Sequence, residues 1–119
     1  MLELERAVLA LAQPAEVQLT LFADFVCKAD ELALDFDDGL SMSRKEQMSS
    51  EQRAAIDTLD QLLARMSGEQ NAPLWTEEAL RSGPVWEEVR SAAKAVAAAF
   101  GWTLRRPPPS GATYIPAGD

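Results

Sequence analysis

Apolar residues recur along this chain at three- and four-residue steps, the repeat of one helix face at about 100° per residue. They do so in five stretches separated by proline, glycine and short polar runs. Residues 2 to 12 offer Leu2, Val8, Leu9 and Leu11 for packing before Pro14 interrupts the hydrogen-bond ladder. Pro14 suits the first turn of a second helix, which is predicted to run to about Asp38 and stop at Gly39. Its body, residues 21 to 40, reads as one long helix with two separate faces. Leu21, Phe22, Phe25, Val26, Ala29, Leu32, Ala33, Phe36 and Leu40 share one arc, and Asp24, Glu31, Asp35 and Asp38 line a ridge opposite, with Asp30 and Asp37 at the border of the polar face.

The polar stretch SMSRKEQM connects this helix to a third, where Ser49 and Gln52 have the spacing of a capping box and Ile56, Leu59, Leu62, Leu63 and Met66 form the apolar side up to Gly68. After a loop over 67–75, Thr76 with Glu77 and Glu78 caps a brief fourth helix. Ser82, Gly83 and Pro84 restart the chain into a fifth, carrying Trp86, Val89, Ala93, Val96 and Phe100 and ending at Gly101. Beyond Trp102 the run TLRRPPPSGATYIPAGD works against regular structure. The chain has no internal repeat and no pair of alternating segments joined by hairpin chemistry. The predicted fold is all-α: a single-domain bundle of about five helices over residues 1–102, followed by an extended Pro/Gly-rich tail over 103–119.

Composition changes the picture through charge. Nineteen acidic against eleven basic residues give a formal charge of −8, and histidine is absent. A negative field disfavours nucleic acid and anionic membrane surfaces and favours a basic protein partner. Cys27 stands alone, so no intrachain disulfide forms and a reducing, cytoplasmic setting is expected. The N-terminal MLELERAVLALAQP carries Glu3 and Glu5 where a secretory signal would be basic.

Candidate chemistry narrows quickly. The twelve residues DFDDGLSMSRKE begin with Asp35 and end with Glu46, as a calcium loop does, but Gly39 falls where a ligand is expected and Leu40 where the turn needs glycine. Asp35 with Asp38 resembles half of the paired acidic motif of all-helical magnesium-dependent nucleotide pyrophosphohydrolases. Neither Asp30, Glu31 and Asp35 nor Glu87 and Glu88 supply the other half. Cys27 has no histidine to activate it. No phosphate-binding loop occurs. Trp86 reads as a core anchor, Trp75 stands where a hydrophobic staple would, and Trp102 follows the last helix cap. No catalytic residue, metal or cofactor is therefore expected. The ridge is either a solvated helix face or a docking surface for a cation-rich partner formed by Asp24, Asp30, Glu31, Asp35, Asp37 and Asp38. Self-association through the apolar stripe is a further alternative.

The segments FVCKADELALDFDDG, LWTEEAL and WEEVRSAAKAVAAAFGW resemble in type the small acidic helical proteins found beside bacterial toxin genes. That resemblance implies a non-enzymatic immunity protein that neutralises a toxin by covering its basic or catalytic surface.

Overall fold

The computed structural model describes residues 2–22 and 27–107, and among them every regular element is helical. Leu2–Leu11 forms α1, Ala15–Gln18 the short α2, Lys28–Ser41 α3, Ser50–Arg65 α4, Glu77–Ser82 α5 and Pro84–Phe100 α6; 3-10 helices occupy Lys45–Gln47 and Glu69–Trp75. The all-α bundle expected from the apolar periodicity is thus the fold. Helix α1 packs on both α3 and α6, and α4 packs in turn on α6. Side chains of α3 and α4 face one another across a groove instead of a packed seam. No helix among the described residues is long and apolar enough to cross a membrane.

Helix ends follow local chemistry. Ser49 accepts from the Gln52 amide at 3.1 Å while the Gln52 side chain accepts from the Ser49 amide at 2.9 Å, so the capping box forms in full. Thr76 accepts from the Ala79 amide at 3.1 Å. At the end of α6, Gly101 takes a left-handed conformation with φ 74°, and the amides of Trp102 and Gly101 reach back to the carbonyls of Ala97 and Ala98. This reciprocal pairing satisfies carbonyls that the helix itself leaves open. The Trp102 ring then stacks on Phe100 with centroids 4.4 Å apart.

The core takes Leu4, Val8, Leu9 and Leu11 from α1, Leu32 and Phe36 from α3, Ile56 and Leu59 from α4, and Trp86, Val89 and Val96 from α6. Trp86 is fully buried and donates its indole N–H to the Leu74 carbonyl at 2.7 Å. Trp75 meets it edge-on at 5.5 Å and donates to the Met66 carbonyl at 2.7 Å. Two indoles therefore pin the 3-10 segment to the bundle, each placing its apolar ring inside while its one donor is satisfied.

The continuous helix expected over 21–40 is interrupted. The chain turns at Leu19 and Thr20 and bends at Leu21 and Phe22, and Cys27 is extended (φ −77°, ψ 106°) just before α3. The reason lies in Gln18. Its side chain is fully buried, and its amide nitrogen donates to the carbonyls of Ala10 and Leu11 at 3.1 and 3.0 Å, closing the end of α1. Its oxygen accepts from Arg90 Nε and Nη2 at 3.2 and 3.0 Å, and Arg90 also donates to the Leu80 carbonyl and to Glu87 Oε2. Burying an amide and a guanidinium is costly unless their polar atoms are paired. Here no buried side-chain nitrogen or oxygen among the described residues lacks a partner. Holding Gln18 in that network turns the chain, and Leu21 and Phe22 enter the core by this bend instead of along a helix stripe.

Two other expectations are corrected. Gly39 does not stop its helix; α3 continues to Ser41, and a Cβ at Gly39 would lie 2.8 Å from the Leu4 Cα and 2.9 Å from its nitrogen. Glycine is needed there because two helix backbones touch. Leu2, offered for packing, is 72% exposed. Beyond α6, residues 103–107 have no regular structure, as expected, yet Gln13 Nε2 donates to the Arg105 carbonyl at 2.7 Å, Arg106 Nη2 to Thr20 Oγ1 at 2.8 Å, and Pro107 is buried. The polyproline stretch after Pro107, and the rest of the tail, lie outside the described residues.

Candidate functional site

The acidic candidates divide once α3 is in place. Asp24 lies outside the described residues. Asp30, Asp37 and Asp38 are exposed, Glu31 and Asp35 half-buried, while Ala29, Leu32, Phe36 and Gly39 face inward. At about 100° per residue, Asp30, Leu34 and Asp37 form one row on the helix surface and Glu31, Asp35, Asp38 and Met42 a second. The first row borders the groove, because Leu34 and Asp37 line it.

Helix α3 supplies one wall of that groove with Ala33, Leu34, Phe36 and Asp37, and α4 the other with Asp60, Leu63 and Ala64, continued by Ser67 just past the helix; Trp75 also lines it. The groove encloses about 290 Å³. Phe36, Leu63 and Trp75 give it apolar lining, Leu34 is 53% exposed at its lip, and Asp37 and Asp60 place a carboxylate on each wall. Leu34 is the one large apolar residue of α3 outside its apolar arc, and from there it reaches the lip of the groove. Asp60 carried no signal, because its pairing with Asp37 arises from the approach of helices remote in sequence.

Of the five ion pairs among the described residues, Lys28 with Glu77, Lys45 with Asp57, Arg81 with Glu77, Arg90 with Glu87 and Arg105 with Glu5, none uses Asp30, Glu31, Asp37, Asp38 or Asp60. The new start of α3 also separates the carboxylates by cause. Asp30 and Glu31 occupy the first turn, where the helix dipole stabilises an anion, whereas Asp37 and Asp38 sit in the last turns, where it does not.

Cys27 sits at the N-cap of α3; it is exposed, with its Sγ 3.3 Å from the Trp75 carbonyl. Among the described residues no three acidic or sulfur side chains converge in a way that would hold a metal ion. Chemically the arrangement is an apolar slot between two negative walls, complementary in shape and charge to an apolar side chain flanked by cations.

Comparison of this chain with family models, with curated proteins and with solved structures returns no match.

Proposed function

We propose that this protein is a binding module that takes a basic protein partner on the α3–α4 face, in the manner of an immunity protein that neutralises a toxin by covering its cationic surface. One observation carries the reading: Leu34 stands exposed beside a slot lined by Phe36, Leu63 and Trp75, with Asp37 and Asp60 on opposite walls and no ion pair to either among the described residues. Opposite potentials speed encounter, and an apolar anchor in the slot slows release. The carboxylates of Asp30 and Asp38 extend the negative field along α3.

The test is direct titration of the product of the neighbouring gene against the purified chain at two salt concentrations. Affinity is expected to fall with salt and to drop at least roughly tenfold in Asp37→Lys plus Asp38→Lys, the loss of about one strong charge pair. Affinity indifferent to both salt and charge reversal overturns the reading.

A further inference from the structure

A second charged feature lies away from the acidic face. Residues 12–16, Arg81 of α5, α6 and residues 104–105 border a cleft of about 460 Å³ lined by Arg81, Arg90, Lys94 and Arg105 against Glu16 and Glu87. Four cations to two carboxylates reverse the balance of a chain with 19 acidic and 11 basic residues. Glu87 is already committed to Arg90 at 2.9 Å. The remaining cations are weakly engaged: Arg81 reaches Glu77 and Arg105 reaches Glu5 only at 3.8 Å, and Lys94 has no ion pair among the described residues.

The walls are fixed before any ligand arrives. Arg90 is 5% exposed and held by Gln18 and the Leu80 carbonyl, and the backbone at Arg105 is tied to Gln13 at 2.7 Å. Arg90, its donors committed to Gln18, Leu80 and Glu87, is a fixed part of the lining, and Arg81, Lys94 and Arg105 are the cations left to make charge-assisted hydrogen bonds to an anion. Lys94 and the exposed hydroxyl of Ser91 lie one turn apart on α6 and supply further donors.

We propose that this cleft is an anion site that binds a small molecule bearing oxyanion groups, held by Arg81, Lys94 and Arg105. Phosphate esters and polycarboxylates share that chemistry. The site is independent of the α3–α4 face and stands whether or not a basic partner binds there.

The experiment follows amide shifts of the ¹⁵N-labelled full chain during titration with inorganic pyrophosphate and, separately, citrate, at ionic strength held constant with chloride. Saturable shifts at Arg81, Ser91 and Lys94 are expected, with a Kd of about 1 mM or tighter for at least one probe. Response to pyrophosphate assigns phosphate-bearing ligands, and response to citrate assigns polycarboxylates. Arg81→Ala plus Lys94→Ala should weaken binding roughly tenfold, equal to about 1.4 kcal/mol. Both side chains are exposed at the surface, so the variant keeps the fold, which circular dichroism verifies. No saturable shift with either probe, or equal affinity in the double variant, overturns the proposal.

Discussion

Helix α3 has two unlike sides. Toward α1 it is sealed: Gly39 meets the Leu4 backbone, and Leu32 is only 1% exposed. Toward α4 it is open, with Leu34 exposed and Asp37 facing Asp60 over a groove. The same fourteen residues therefore obey two rules. On the sealed side small size and complete pairing decide what fits, and a glycine that costs about 1 kcal/mol of helix propensity is kept because nothing larger can sit there. On the open side neither rule applies, and apolar and charged groups stay where neither packing nor the protein's own cations use them. A region that forgoes both is available to something else.

The sealed interior should respond most strongly at Arg90. Arg90→Ala removes the donors to the Gln18 oxygen and the Leu80 carbonyl and leaves buried acceptors unpaired, with an expected loss of about 3 kcal/mol. Urea denaturation monitored by circular dichroism measures it. A loss below about 1 kcal/mol, the scale of a surface substitution, would mean that water enters and replaces the guanidinium.

Next comes a matched pair of enlargements on the two sides. Gly39→Leu drives a side chain into the Leu4 backbone, which has no rotamer to yield, and should cost about 2–3 kcal/mol. Ala64→Leu, on the exposed groove wall, should change stability by less than about 0.5 kcal/mol. The same substitution should plug the slot and weaken partner binding while leaving the salt dependence of the residual binding intact. Thermal midpoints and the partner titration read the two effects separately. Equal costs at the two positions would erase the distinction between the sides.

The capping box tests whether the open wall is also locally independent. Ser49→Ala should cost about 1 kcal/mol. Because Ser49 touches neither the groove nor the α1 seam, partner affinity should be unchanged when measured well below the melting temperature.

How much of this was legible in the sequence depends on how local each cause is. The capping box at Ser49, the N-cap at Thr76 and the glycine end at Gly101 are set by residues within six positions of one another, and each formed as the spacing implied. Leu32, Phe36, Ile56 and Trp86 were placed in the core by period alone. The break before α3 was not legible, because it depends on Gln18 meeting Arg90, 72 residues away. A hint was available: Arg90 shares the face of Trp86, Ala93 and Ala97, so a cation at a core position announced a buried network. Gly39 reads as a stop signal in one dimension and as a contact in three. The acidic ridge was legible as a row with Asp30 and Asp37 at its border, but not the groove that Asp60 completes or the late start of α3 that puts Asp30 and Glu31 in its first turn.

The position of the carboxylates along α3 yields the smallest and most discriminating effect. Asp30 and Glu31 sit in the first turn of α3 and Asp37 and Asp38 in the last turns, so the helix dipole treats the two pairs oppositely. Asp30→Asn plus Glu31→Gln should lower stability by about 0.5 kcal/mol, and Asp37→Asn plus Asp38→Asn should raise it by a few tenths of a kcal/mol. Parallel denaturant titrations at low salt resolve the opposite signs, and added salt should shrink both. If the second pair is also destabilising, these carboxylates serve the fold and their place beside the groove has a structural cause. If neutralising them stabilises the protein while weakening its partner, the chain keeps two locally unfavourable charges for binding, the expected signature of a surface shaped by function at some expense of stability.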